Sequence, residues 1–268
     1  MMCENRNASE MHVKSVYHSA DSILRVLKAE QVNTLRGVEI LLKRFNDKFP
    51  EGEVNFSNVP RKEVFIVFEG LDGSGKSTIA KEVSKIYKGA MLATPPKSIS
   101  DIRKIFDGYQ PSVRKAYYSL GNYIAAKEIL DICEEKPVFL DRFWHSTAAY
   151  ALAQECDGQQ LSSLPSAGDP VYKWPEDLIK PDLVLFLDVT EQTRNIRHAR
   201  RVKRGETTKE EEQLVKDEAF RNLVLAAYKN MDDIPVVHVD SSYSVKQTVA
   251  QCLKHIEQLL PCKTNVDS

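Results

Sequence analysis

Gly70-Leu71-Asp72-Gly73-Ser74-Gly75-Lys76-Ser77 matches the G-x-x-x-x-G-K-[ST] phosphate loop without a gap. In such a loop the glycines let consecutive backbone N–H groups, here Asp72 to Thr78, curl around an anion. Lys76 then carries a cation to the β- and γ-phosphates of a nucleoside triphosphate, and Ser77 offers a hydroxyl to Mg²⁺. Both flanks suit that chemistry. The apolar run Val64-Phe65-Ile66-Val67-Phe68 predicts a buried strand that delivers the loop. Ile79, Val83 and Ile86/Tyr87 recur at helical spacing over Lys76 to about Tyr87. The positive end of that helix would face the same phosphates.

Two further groups of residues can work on phosphate. Asp141-Arg142 follows the apolar run Val138–Leu140, where an acid can hold Mg²⁺ together with Ser77, directly or through water, and an arginine can fork onto a phosphate. The other reading of the pair is a surface ion pair capping a strand. Arg194, Arg197, Arg200, Arg201, Lys203 and Arg204 lie in a stretch, Thr193 to Gly205, that has no acid. Helical spacing puts Arg194, Arg197, Arg201 and Arg204 on one side. This predicts a basic lid near residues 194–210 that closes over bridging phosphates, against the alternative of an unused basic face; Glu206, Glu210, Glu211 and Glu212 then begin an acidic helix.

The elements that must position these groups are legible as a pattern. Val64–Phe68, Met91–Ala93, Val138–Leu140, Leu183–Leu187 and Val236–Val239 are short apolar runs separated by helical stretches. That alternation predicts an α/β fold with a doubly wound, five-stranded parallel sheet. Ligands of such sheets bind at the carboxyl ends of the strands, where this chain places Glu69 and the loop, Thr94-Pro95-Pro96, Asp141-Arg142, Asp188, and Asp240-Ser241-Ser242. Ahead of it, residues 1–60 read as a helical extension and linker. Val13, Val16/Tyr17, Ala20, Ile23/Leu24 and Leu27, then Val32, Leu35, Val38, Leu42 and Phe45, suggest two amphipathic helices broken near Glu30–Asn33. The pair could be a docking arm or a dimer element, or could pack on the main domain. Residues 61–262 form that domain, 157–170 an exposed loop and 263–268 a tail.

Composition narrows the function. A chain of 268 residues with 42% hydrophobic content can bury a sizeable core. Its formal net charge of -1 supplies no overall field for nucleic acid or an anionic membrane surface, so a small anionic substrate is expected. The five cysteines contain no C-x-x-C pair, which suggests neither a disulfide framework nor a zinc site and points to a reducing compartment. No apolar stretch approaches the roughly 18 residues of a membrane span. Glu4, Glu10, Asp21 and Glu30 make the start a poor secretory or transit peptide.

Taken together, Glu69 to Thr78, Asp141-Arg142 and the arginine-rich stretch resemble the thymidylate kinase branch of the nucleoside monophosphate kinases, over about residues 61–260. The strings Tyr117–Ile124, Asp141–Ala148, Pro170–Leu178 and Lys180–Leu183 are similar to the mitochondrial, UMP- and CMP-phosphorylating members of that branch. The resemblance implies a P-loop nucleoside monophosphate kinase fold. It further implies transfer of a phosphoryl group from ATP, with Mg²⁺, to UMP, CMP, dUMP and dCMP, and mitochondrial residence, with the cytoplasm as the alternative because no clear transit peptide is present. A homodimer is compatible with it.

Residue roles follow from the same likeness. Lys76 serves the donor phosphates, and Ser77 and Asp141 the metal. Arg142 and Arg103 clamp the acceptor phosphate, and Asp72 approaches its sugar. Ser74 stands where some thymidylate kinases carry a catalytic arginine, so Arg197 and Arg201 become the candidates for the transition-state cation. Tyr118, Asn122, Tyr123 and Tyr150 are candidates for the base pocket, or equally for core packing. Tyr123 stands where thymidylate kinases place a thymine-reading arginine, which predicts weak use of thymidylate. Three other readings stay open: a thymidylate kinase proper, a deoxynucleoside kinase with Glu69 as its base, and a nucleotide-gated interaction module.

Overall fold

The computed structural model describes residues 16–52, 54–158, 163–202 and 217–259, with the side chains of 200–202 outside that description. Its five strands are β1 (Phe65–Glu69), β2 (Ala90–Ala93), β3 (Val138–Asp141), β4 (Leu183–Asp188) and β5 (Val236–Asp240). They pair in parallel in the order β2-β3-β1-β4-β5. Each apolar run of the sequence is one of these strands, within a residue at either end. Phe68 pairs with Asp141 and Glu69 with Phe186, while Ala93 pairs with Asp141 and Asp188 with Asp240. The chemistry-bearing strand ends therefore meet along one edge.

The faces of β1 alternate. Ile66 and Phe68 join Ile79, Ala80, Val83, Val249, Cys252 and Ile256 on one side, supplied by helices α3 (Lys76–Ile86) and α8 (Val245–Leu259). Phe65 and Val67 point to the larger core on the other. There α4 (Pro111–Ile132), α5 (Trp144–Asp157) and α7 (Glu218–Lys229) cover the sheet. Helix α6 (Glu191–Val202) follows β4. A central parallel strand covered on both faces reads as a near-continuous apolar run, as Phe65 to Phe68 do, and all five residues of β1, the terminal Glu69 included, are buried. Helix α4 opens with Pro111, whose missing N–H costs nothing at a helix start. Ala116, Tyr117, Leu120, Tyr123, Ile124 and Ile129 are all buried along it.

The N-terminal helices are α1 (Ala20–Leu27) and α2 (Arg36–Lys48). Ser19 caps α1 by accepting from Ser22 N at 3.1 Å, and Ala20, Ile23 and Leu27 enter the same core as α4. In α2 Gly37 and the apolar side chains of Val38, Leu41 and Phe45 are buried; the expected Leu42 is only half-buried, because the apolar stripe runs i, i+3, i+7. Gly37 lets this helix approach closely, since a Cβ there would sit 3.0 Å from the Ile105 side chain. Arg44 forks onto Asp101 at 2.5 and 2.8 Å, and Lys48 pairs with Glu128. The pair thus packs on the sheet-bearing body.

Val13, the acidic stretch after Gly205, the outer part of the lid and the tail lie outside the described residues. Among the described residues no helix is long and apolar enough to cross a membrane.

Candidate active site

After β1 the chain turns on three glycines with positive φ: Gly70 at +135°, Gly73 at +86° and Gly75 at +97°. Gly70 is also crowded, since a Cβ would meet the Leu187 carbonyl at 2.7 Å. Gly75 is the N-cap of α3 and supplies no side-chain acceptor, so the leading N–H groups of that helix stay available to an anion. Lys76 folds back and donates to the Gly70 and Leu71 carbonyls, each at 2.9 Å. Burial and the positive charge of Arg142 pull its amine down to about 8, against the opposing attraction of Asp72, Asp141 and Glu69. Phosphate oxygens at the loop would raise it again.

Ser77 Oγ donates to Asp141 Oδ2, and Asp141 Oδ1 is buried with no hydrogen-bond partner. A hydroxyl beside a carboxylate with one unpartnered oxygen is a donor set suited to Mg²⁺, which takes hard oxygen ligands and completes its shell with waters and substrate phosphates. No group of three or more His, Cys, Asp or Glu among the described residues could hold a metal unaided. Ser77 and Asp141 alone would leave most of such a metal's shell to phosphate oxygens and water.

Arg142 begins the turn after β3 with φ +68°, a conformation uncommon outside glycine. Its Nη2 donates to Asp72 Oδ1 at 2.5 Å and its Nη1 to Ser146 Oγ at 2.9 Å, with the guanidinium 5.4 Å from the Tyr150 ring centre. Tyr150 OH donates to the second Asp72 oxygen at 3.1 Å. Burial would raise the Asp72 carboxyl, but Arg142 and Lys76 outweigh it and hold it at about 2. Glu69 is fully buried. It accepts from Phe143 N at 2.8 Å, from Ser146 N at 3.2 Å and from Tyr228 OH at 2.9 Å, and from Ser146 Oγ. Burial pushes its carboxyl up despite those bonds.

Beside Arg142 opens a cavity of about 240 Å³. Of the residues expected at an acceptor, Asp72, Arg103, Tyr118, Arg142 and Tyr150 line it. Arg103 Nε donates to Tyr118 OH at 3.1 Å, and the Arg114 guanidinium lies 5.9 Å from the centre of the Tyr118 ring.

Two expected residues are elsewhere. Tyr123 is 1% exposed and donates to Asp177 Oδ1 at 2.5 Å, within the core. Asn122 sits behind the lining, with Nδ2 donating to Thr147 Oγ1 at 3.0 Å. Thr94 and Pro95, expected at the ligand edge from their place after β2, also line the cavity, and Arg114, Lys115, Ser146, Thr147 and Gln154 line it without having been assigned a role. Thr147, Tyr150, Ala151 and Gln154 follow an i, i+3, i+4, i+7 spacing straight after Arg142, which is the signal that could have found them.

Helix α6 lays its basic face against the loop. Arg197 Nη1 donates to the Gly73 and Ser74 carbonyls at 3.3 and 3.0 Å, and Nη2 donates to the Ser241 carbonyl at 2.6 Å. Arg194, one turn earlier, is 2% exposed and packs on Gly73. Burial lowers both guanidinium groups, that of Arg194 further by the nearby Arg221. Ser241 Oγ adds a bond to the Ser74 carbonyl at 2.8 Å, a contact that sequence spacing could not show. Arg201 is on this helix, but its side chain lies outside the described residues, as do Lys203 and Arg204.

The chain is similar to several known proteins. UMP-CMP kinase 2, mitochondrial, of Homo sapiens is 42% identical over 193 residues, covering 72% of this chain and 42% of its own length. The chain thus spans less than half of that relative. A probable thymidylate kinase of Sulfurisphaera tokodaii is 27% identical over 207 residues, 74% of this chain and 98% of its own. Among solved structures, thymidylate kinase from Candida albicans superposes with TM-score 0.56 at 21% identity, covering 75% of this chain and 93% of that one. Deoxyadenosine kinase from M. mycoides, solved with bound dATP, gives TM-score 0.53 at 19% identity over 72% of this chain and all of the other. The two structures establish a shared fold. The family model described as thymidylate kinase matches residues 68–252. Because that match runs from within β1 to the last helix and takes in every strand end that shapes the site, the chain belongs to the thymidylate kinase family.

Proposed function

We propose that the chain transfers a phosphoryl group from ATP to pyrimidine nucleoside monophosphates: UMP, CMP, dUMP and dCMP. The observation that carries the reading is the position of Arg142. It is bonded to Asp72 of the phosphate loop on one side and lines a cavity it shares with Arg103 and Arg114 on the other. A cavity with three guanidinium groups, next to a triphosphate loop, suits an acceptor that is itself an anion. An ionised acceptor phosphate needs no general base; the site has to align two anions and neutralise them. Glu69, the base a hydroxyl acceptor would require, has both carboxylate oxygens taken by hydrogen bonds. That favours a monophosphate over a nucleoside.

In this reading Lys76 exchanges loop carbonyls for the β- and γ-phosphates, and the backbone of Gly70 to Thr78 cradles them. Ser77 and Asp141 would hold Mg²⁺, which when bound supplies charge neutralisation at the donor phosphates. Arg142 and Arg103 clamp the acceptor phosphate, and Asp72 holds Arg142 and faces the sugar. Tyr118 and Tyr150 flank the base. Arg197 and Arg201 bring positive charge to the transferring group. The preference for uracil and cytosine draws support from the human relative alone, since Tyr123 faces the core and not the cavity. Mitochondrial residence draws on that relative's name alone.

The test is ADP release measured across all nucleoside monophosphates. CMP, UMP, dCMP and dUMP should turn over, AMP and GMP should be nearly inert, and cytidine should not react. dTMP should be weaker than dUMP by about 10- to 200-fold, the reach of one methyl group in discrimination. A clear preference for dTMP overturns the pyrimidine assignment, and turnover of cytidine in place of CMP overturns the acceptor class.

A further inference from the structure

One of the two side-chain bonds that hold Arg142 leads into a closed and buried chain of hydroxyls. Its Nη1 donates to Ser146 Oγ at 2.9 Å, and Ser146 Oγ donates in turn to Glu69 Oε2. Tyr228 OH, from α7, lies 2.9 Å from the same Glu69 oxygen and 2.8 Å from Ser146 Oγ. The other Glu69 oxygen accepts from the main chain of Phe143 and Ser146. Each hydroxyl owns a single proton. Burial opposes charge on Glu69, yet the four donors gathered on its two oxygens suit the ionised form, which only accepts. With both hydroxyl protons drawn to Glu69, a lone pair of Ser146 Oγ is left facing the guanidinium. Reversed, the Ser146 proton would oppose an arginine N–H, donor against donor.

We infer that Tyr228, through Glu69 and Ser146, is a positioning residue that aims Arg142 at the acceptor phosphate. The inference rests on the kinase reading above. Tyr228 never reaches the cavity itself, and its ring stands edge-on to Phe186 at 4.9 Å, so Tyr228→Phe keeps the packing and removes only the hydroxyl.

The experiment is a double-mutant cycle in the full chain, read as kcat/KM for CMP alongside KM for ATP. Tyr228→Phe should lower kcat/KM for CMP by about tenfold, the scale of one buried hydrogen bond, with KM for ATP unchanged. Ser146→Ala should cost a similar or larger factor. The double variant should be no worse than Ser146→Ala alone, because the tyrosine acts through the serine. Losses that multiply in the double variant, an equal rise in KM for ATP, or an unchanged kcat/KM in Tyr228→Phe overturn the inference. Should melting show Tyr228→Phe unfolded, Glu69→Gln with Ser146→Ala runs the same cycle. A wild-type protein that turns over no nucleoside monophosphate overturns the kinase reading and this inference together. Multiplicative losses in an active enzyme overturn the inference alone.

Discussion

Lys76 and Arg197 donate to main-chain carbonyls of the phosphate loop, whereas Arg142, on the acceptor side, is held by the side chains of Asp72 and Ser146 over the face of Tyr150. Burial and the neighbouring charge of Arg142 bring the Lys76 amine down to about 8, and its hydrogen bonds, to two neutral carbonyls, bring no countercharge. Arg142 has a carboxylate at hand, and the Asp72 charge keeps it above the usual arginine range in spite of burial. The donor side is therefore an electrostatic deficit that phosphate repairs, and the acceptor side is compensated before any ligand arrives. One is built to gain charge, the other to keep its shape.

The largest effects should come from removing donor-side chemistry. Lys76→Met and Asp141→Asn should each lower kcat by at least about 10²-fold while leaving circular dichroism unchanged. Stability then sharpens the contrast. Nucleotide-free Lys76→Met should melt higher than wild type, because it removes a buried cation whose burial and repulsion by Arg142 outweigh the pull of the nearby carboxylates. Arg142→Met should melt lower, because it removes the direct ion-pair partner of Asp72. If both shift in the same direction, the two sides are not held differently.

The pH dependence has a definite sign. The folded-state pKa of Lys76 is depressed from 10.5 to about 8, so between those values the unfolded chain binds more protons than the folded one. Wild-type stability should rise across that window relative to Lys76→Met, as read by urea denaturation at each pH. Saturating ATP should abolish the difference. A wild-type curve parallel to the variant's would mean that the amine is not buried as described.

Arg197→Ala should reduce kcat by about 10- to 100-fold with little change in ATP binding to the resting enzyme, since its gain comes with the phosphoryl group in transfer. A rise in KM for ATP at constant kcat would make it a ground-state contact. The smallest effect on turnover belongs far from either side. Phe45→Ala in α2 should destabilise the protein by about 3–5 kcal/mol in chemical denaturation and leave kcat near normal at low temperature. Lost kcat in the folded variant would tie the N-terminal helices to catalysis.

The donor side was legible because its parts are contiguous: one stretch of chain supplies strand, loop, lysine and helix, and apolar runs alone located all five strands. The acceptor side was legible only in part. Tyr118 and Tyr150 could be named, but nearly every residue in the middle of α4 is buried, so its periodicity does not tell which tyrosines face a cavity and which, like Tyr123, face the core. Tyr228 and Ser241 act at the site from 159 and 167 residues beyond their partners Glu69 and Ser74, a proximity that only the folded sheet creates. Glu69, which the sequence leaves open as a base in a deoxynucleoside kinase, accepts in the structure from Phe143 N, Ser146 N and Ser146 Oγ in the turn after β3.

Asp177 accepts from Tyr123 OH with one carboxylate oxygen and from Ala20 N, the first amide of α1, with the other, while its carbonyl accepts from Phe56 N. One residue thereby fastens the start of the N-terminal helix, the linker ahead of β1 and the long helix α4. In hydrogen-exchange terms such a junction makes a single cooperative unit: the amides of Ala20, Phe56 and the Pro175–Leu178 turn should open at one shared free energy. Asp177→Asn should loosen all three at once, so that the N-terminal helix, remote from the phosphate loop in sequence, reports by its exchange rate on the integrity of the turn that precedes β4.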